Sequence, residues 1–293
     1  MQILTGLAVA VMGGDAREIT LVECLADAGA TVKTLGLPVK GPNIIPCPEP
    51  EECLAGAQAL ILPVPGVNEQ MELYSGYLNP RPVITRELLS LLPAGTPVLV
   101  GVARKSLRDL LEKNALELVE LMKLDEVAIL NSIPSAEGAV QMAMERLPIT
   151  IHGSNVMVLG FGRTGQTLAQ LLSNMHAYTT IAARNPAQLA RAAVIGLKAI
   201  NLKELVDYLC DVDVIFNTIP APVINEEIMQ RLPSTALIID LASAPGGTDF
   251  EKAGELGIEA VLAPGLPGRV APKTAGMILA RVVPGILLQK TGR

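Results

Sequence analysis

The sequence predicts an α/β protein of two Rossmann-like domains, each a doubly wound parallel sheet, with an interdomain cleft and a linking helix. Short aliphatic runs alternate with helically spaced stretches along the chain, the pattern of βαβ units rather than of hairpins. Half of the residues are apolar and only 2% are aromatic, which suits strands buried on both faces. At 293 residues the chain exceeds the usual length of one domain, so two cores are expected.

Residues 7–12 (LAVAVM) read as the first strand, ending in Gly13-Gly14. Helical spacing follows over 16–28 through Ile19, Val22, Leu25 and Ala26. Further strands are expected at 31–35, 59–62, 97–101 and 117–121, with helices near 85–91 and 105–114. Residues 36–56 are rich in Pro and Gly and read as an irregular loop, as do 64–82. Ser132 reads as the N-cap of a linking helix over 134–148, with Pro134 in its first turn and Pro148 at its end. A second series then begins, with strands at 155–159, 178–182, 197–200, 213–217, 236–240 and 258–262. The expected organisation is a substrate domain over 1–133, the linking helix, and a nucleotide-binding domain over 149–272. A last helix, about 273–293, is expected to pack back on the first domain or to form a contact in a homo-oligomer.

Composition excludes several classes of function. The net charge is −6 with no Lys/Arg block, so a nucleic-acid binder, which needs a basic stripe, is not expected. The longest apolar stretch, 278–288, is broken by Arg281, Pro284 and Gly285, so no membrane span is expected. The N-terminal stretch lacks a basic n-region and a cleavage site, and a cytoplasmic protein is the expectation. The four cysteines contain no C-x-x-C pair and the two histidines have no ligand spacing. Metal sites and disulfides are therefore not expected, and Cys24 and Cys210 read as buried free thiols.

The strongest local signal is Gly160-Phe161-Gly162-Arg163-Thr164-Gly165, placed after a strand and opening a helix. The first glycine permits the tight turn, the second lets a diphosphate approach the backbone, and the third lets the helix pack on the strand. The next strand ends in Ala182-Ala183-Arg184-Asn185. No carboxylate stands there to accept from a ribose 2′-hydroxyl, and Arg184 suits a 2′-phosphate, so NADP is expected rather than NAD. Thr218, Ile219, Pro220, Ala242, Pro264 and Gly265 lie at later strand ends and complete the expected cofactor set.

An anionic substrate is expected between the domains. Arg17, Arg104, Arg269 and Lys273 are candidate cations for it, with Ser132, Ser135 and Thr274 nearby in sequence. Asp15, Glu137 and Lys273 are the candidates for proton transfer. Asp15 reads equally well as a helix N-cap, and Glu137 as an ordinary first-turn carboxylate. His152 and His176 fall at the wrong end of the sheet for a His–carboxylate dyad.

The stretches GGDAR (13–17), NSIPSAEG (131–138), TIHGSNVMVLGFGRTG (150–165), DLASAPGGTDF (240–250) and LAPGLPGRVAPKTAG (262–276) resemble the dipicolinate synthase A subunits of endospore-forming bacteria. The resemblance implies a sporulation enzyme of the mother-cell cytoplasm that works with a separate B subunit. It implies NADP-dependent dehydrogenation of a dihydrodipicolinate-type precursor of the lysine pathway to pyridine-2,6-dicarboxylate. Two other functions fit the residues: an NADP-dependent reductase of shikimate-dehydrogenase-like build, and a non-catalytic NADP-sensing subunit.

Overall fold

The computed structural model describes residues 2–292. In chain order the elements are β1 (Ala8–Met12), α1 (Ala16–Asp27), β2 (Thr31–Leu35), β3 (Ile44–Cys47), α2 (Pro50–Leu54), β4 (Ala59–Ile61), α3 (Arg86–Leu89), β5 (Pro97–Val100), α4 (Lys105–Lys113) and β6 (Glu117–Glu120). A helix α5 (Asp125–Arg146) leads into β7 (Asn155–Leu159), α6 (Arg163–Asn174), β8 (Tyr178–Ala183), α7 (Pro186–Val194), β9 (Lys198–Asn201), β10 (Val214–Asn217), α8 (Glu226–Met229), β11 (Leu237–Asp240), α9 (Phe250–Leu256), β12 (Glu259–Leu262), α10 (Leu266–Val270) and α11 (Pro272–Lys290).

The chain divides into two compact units, one of residues 2–130 with 271–292 and the other of residues 131–270. The first contains a sheet of order β3-β2-β1-β4-β5-β6, the second one of order β12-β11-β10-β7-β8-β9. Every named strand pairing is parallel. Each sheet therefore winds outward in both directions from its first strand, the doubly wound order that opens a ligand crevice at the carboxyl ends of the strands.

The first unit carries two apolar layers, one on each face of its sheet. On one face Leu21, Val22 and Leu25 of α1 meet Ile278, Leu279, Val283 and Leu287 of α11 over β1 and β2. On the other, Cys53, Leu54, Leu88, Leu107 and Leu111 close over β4 and β5. The second unit repeats this plan with Leu168, Ala169 and Leu172 of α6, joined by Ala139 and Ala143 of α5, on one face. Leu205, Leu209, Met229 and Ala253 cover the other.

Three local expectations are corrected. Residues 36–56 are not wholly irregular, since they contain β3 and α2. Pro46 sits within β3, which is an edge strand, where a missing N–H costs no ladder bond. Residue 132 does not cap a helix: α5 begins at Asp125, runs through Pro134 and ends at Arg146. Asp125 and Glu126 supply the acidic first turn that favours a start there. Finally, Cys53 is the buried thiol and Cys210 is exposed, with Cys24 half-buried. Burial pushes the Cys53 thiol up to about 12.

Among the described residues, no group of three or more His, Cys, Asp or Glu is placed to hold a metal. No helix among them is long and apolar enough to cross a membrane.

Candidate nucleotide site

The loop between β7 and α6 is shaped by three glycines with three different reasons. Gly160 has φ +90°, and a Cβ there would stand 2.5 Å from Thr218 Oγ1. That hydroxyl is fixed in turn, donating to the Leu159 carbonyl at 2.8 Å. At Gly165 a Cβ would lie 2.3 Å from the Gly160 carbonyl oxygen, so α6 can approach the turn only without a side chain. Gly162 is the N-cap of α6 with an ordinary φ of −83°, and a Cβ there would meet none of the described residues within 4 Å. Neither backbone strain nor a protein neighbour asks for glycine at 162. The open space over it leaves the N-terminus of α6 free for close approach, the feature that suits an anion.

A cavity of about 460 Å³ opens beside this loop. Gly160, Gly162, Arg163 and Thr164 form its floor, Arg184, Asn185 and Gln188 one wall, and Thr218, Ile219 and Pro220 the other. Among the described residues that line it are two guanidinium groups and no carboxylate. Arg184 is exposed at the end of β8. Asn185 lines the cavity while its side chain caps α7, accepting from the Ala187 N–H at 2.9 Å. Ala242, Pro264 and Gly265 are not among its walls. They lie after β11 and β12, at the same end of the sheet. A larger cavity, about 620 Å³, is lined by Asn155, Tyr178, Lys198, Asp207 and Tyr208. It opens at the amino ends of β7, β8 and β9, the end at which this fold does not bind ligands. His152 and His176 meet edge to face, 5.5 Å apart, at that same end.

Several residues that position the cavity wall carry little signal in the sequence. Gln188 lies one turn into α7, where periodicity reports a face and no ligand. Asn217, fully buried, accepts from the Ile219 N–H at 3.0 Å and donates to the Ile219 carbonyl at 3.1 Å, which sets the Thr218–Pro220 turn. Asp240, also fully buried, accepts from the Ala242 N–H at 2.9 Å, the Gly247 N–H at 2.8 Å and the Thr248 hydroxyl at 2.7 Å. A polar residue closing an aliphatic strand run is the available signal for both.

The candidate substrate residues are placed less uniformly. Arg17 is buried, and its guanidinium makes a bidentate pair with Asp15, Nε to Oδ1 at 2.9 Å and Nη2 to Oδ2 at 2.8 Å. Asp15 caps α1, accepting from the Arg17 N–H at 3.0 Å. Burial alone would raise the Asp15 carboxyl, but the bonds and charge of Arg17 together hold it below the ordinary value. A carboxylate so engaged is a weaker proton acceptor than a free one, and the pair fixes the Arg17 guanidinium against α1. Ser132 is buried, with its hydroxyl 2.6 Å from that of Thr167 on α6, so it faces the core rather than a substrate. The Ser135 hydroxyl donates to the Asn131 carbonyl.

Glu137 is exposed and borders an apolar groove with Met144, Leu171 and Met175. That places it beside the C-terminal half of α6, away from the glycine loop. Arg104, Arg269, Lys273 and Thr274 are not buried. Arg104 has a loose pair with Glu69 at 3.8 Å; Lys273 and Thr274 stand in the first turn of α11.

In the first unit, three further residues join this cluster without any motif to announce them: Glu18, Tyr74 and Arg81. The Tyr74 hydroxyl donates to Asp15 Oδ2 at 3.4 Å, and the Arg81 guanidinium lies 5.8 Å from the Tyr74 ring centre.

Comparison with known proteins bears on this geometry. The chain is 38% identical over 289 residues to the dipicolinate synthase A subunit of Bacillus subtilis (strain 168), covering 98% of this chain and 97% of that one. The chain belongs to the dipicolinate synthase A-subunit family. A family model for the N-terminal domain of that A subunit matches residues 8–122, and one for shikimate / quinate 5-dehydrogenase matches residues 141–249. The crystal structure of the dipicolinate synthase A subunit from Bacillus halodurans superposes with a TM-score of 0.93 at 39% identity, covering 97% of this chain and 98% of that one. A transhydrogenase from Sinorhizobium meliloti shares the fold at a TM-score of 0.70 and 13% identity, over 96% and 92% of the two chains. The dehydrogenase-like Rossmann unit implies a nicotinamide cofactor, and the glycine loop and cavity of this dipicolinate synthase family member fit one.

Proposed function

We propose that this chain is the NADP-binding oxidoreductase component of a dipicolinate synthase. It would act with a B subunit on a dihydrodipicolinate-type precursor from the lysine pathway, in the mother-cell cytoplasm of a sporulating bacterium. The observation that carries the cofactor choice is the cavity over Gly162, whose described lining presents Arg163 and Arg184 and no carboxylate. A 2′-phosphate suits that lining, whereas a bare ribose finds none of the acidic acceptors that NAD enzymes place there.

Bound NADP supplies a hydride acceptor. The loop amides and the N-terminus of α6 would hold the diphosphate, Arg184 would pair a 2′-phosphate, and Thr218, Ile219 and Pro220 would line the same cavity beside the cofactor. Ala242, Pro264 and Gly265, at the next strand ends, belong to the nicotinamide half. For the dianionic substrate the cations Arg104, Arg269 and Lys273, with Thr274, are the residues to test. Aromatisation would drive the loss of a hydride and a ring proton from the precursor, so the protein's own task would be to orient the ring and accept that proton. Lys273 is the candidate acceptor to test.

The likeness to shikimate / quinate dehydrogenase covers residues 141–249. It reaches only the nucleotide-binding unit, and so supports the cofactor rather than a shikimate-type substrate. The test is turnover with the dihydro precursor, by the chain alone and with its B subunit, followed by the absorbance of reduced nicotinamide. NADP reduction in either arrangement is expected. Its absence from both, with NADP still bound, would favour a sensing role.

A further inference from the structure

In the first unit β1 and β4 lie side by side at the point where the strand order reverses. The crevice beyond the carboxyl ends of such a strand pair is where doubly wound sheets take their ligands. Residues 62–85, which join β4 to α3, are not a free loop there. Glu72 and Val83 form an antiparallel bridge, the Leu73 N–H donates to the Pro82 carbonyl at 2.8 Å, and the Ile84 N–H donates to the Met71 carbonyl at 2.9 Å. That register, continued by one pair, sets Arg81 across from Tyr74, and the Arg81 guanidinium lies over the Tyr74 ring at 5.8 Å from its centre.

This short hairpin is seated on the turn after β1. The Gly14 N–H donates to the Tyr74 carbonyl at 2.9 Å, and the Gly76 N–H donates to the Gly14 carbonyl at 2.8 Å. Gly13 permits the approach, since a Cβ there would stand 2.6 Å from the Tyr74 carbonyl oxygen. Leu73, fully buried, anchors the hairpin in the core. The Tyr74 hydroxyl reaches Asp15 Oδ2 at 3.4 Å. Backbone and side chain together thus hold the ring on which Arg81 rests.

The charges around it leave Arg81 available. Asp15 is already neutralised by its bidentate pair with Arg17, and Glu18 is buried behind the turn. Arg81 is exposed, and among the described residues it forms no ion pair. A guanidinium stacked on an aromatic face keeps its N–H edge for a carboxylate, which it can take bidentately. We propose that Arg81, seated on Tyr74, binds one carboxylate of the dicarboxylate substrate. The inference rests on the substrate reading above and adds to it a residue pair that no motif announces.

The test is calorimetric titration of the full chain, saturated with NADP, with pyridine-2,6-dicarboxylate. Arg81→Ala should weaken binding about 10- to 100-fold. Arg81→Lys should recover part of the loss, because the charge returns without the planar fork. Tm and NADP affinity of both variants should match the wild type, since Arg81 is exposed and the glycine loop belongs to the second unit. Wild-type affinity for the dicarboxylate in Arg81→Ala would overturn this inference and leave the substrate reading standing. An equal loss of NADP affinity would do the same, by assigning Arg81 to the cofactor. A wild type that binds NADP and not the dicarboxylate would overturn both.

Discussion

Arg184 and Glu18 are charged groups in opposite settings, one exposed on a cavity wall and one sealed inside. Arg184 is exposed on the cavity wall, and a charge-assisted bond of this kind contributes about 1.5–3 kcal/mol. Arg184→Ala should therefore weaken NADP about 10- to 100-fold and change NAD affinity little; equal losses for both nucleotides would remove the 2′-phosphate assignment. Glu18 accepts an N–H at each carboxylate oxygen, and an amide can satisfy only one of them. Glu18→Gln should cost about 1–3 kcal/mol at neutral pH, read from denaturant unfolding. Burial pushes the Glu18 carboxyl above its ordinary value, despite the Arg17 charge beside it. Its linkage therefore favours folding below the unfolded value, about pH 4.3, and that contribution is lost as pH rises through the raised value. Asp15, held low, has the opposite sign: its contribution is present above about pH 3.9 and lost as pH falls through the depressed value. Glu18→Gln should flatten the mildly acidic part of the stability profile, and an unchanged profile would contradict its burial as a carboxyl. The sequence singles out Arg184 because a strand end with no acid is a visible departure. It gives no sign of Glu18, because one strand-helix turn looks open until its tertiary partner, here Val64, is known.

At the scale of elements, α11 is held by a close approach rather than by apolar area alone. A Cβ on Gly276 would lie 2.6 Å from both the Arg17 carbonyl oxygen and Thr20 Cβ. Gly276→Ala gains up to about 1 kcal/mol of helix propensity, but backbone cannot yield as a flexible side chain can. We expect a net destabilisation of about 1–3 kcal/mol from overpacking, seen as a lower Tm. A rise in Tm would show that α1 and α11 separate freely. The central strands β7, β10 and β11 of the second unit read as aliphatic runs because both of their faces are buried, and the part-buried edge strands β9 and β12 follow from the alternation. Pro46, Pro48 and Pro50 hid β3 and α2, since proline at an edge strand and at a helix start reads from sequence as loop. Pro134 misled in the other direction: it marks a helix start by propensity, yet α5 carries it in its interior, where Ala136, Ala139 and Ala143 bury one face of the helix.

For the molecule as a whole, the same doubly wound order occurs twice with different contents at the first turn. Architecture was readable from alternation alone, whereas the turns differ in their residues, Asp15 and Glu18 after β1 and Gly162 and Gly165 after β7. The candidate substrate cations were readable only as residue types; the structure buries Arg17 against Asp15 and leaves Arg104, Arg269 and Lys273 open to solvent. Arg269→Ala should raise the substrate KM about 10-fold or more if it pairs a carboxylate while leaving NADP affinity unchanged, and unaltered kinetics would return it to the surface. The most direct measurement is a crystal structure of the chain with NADP. The diphosphate should lie over Gly162 against the N-terminus of α6, with the 2′-phosphate at Arg184. Nucleotide density at any other place would contradict the account.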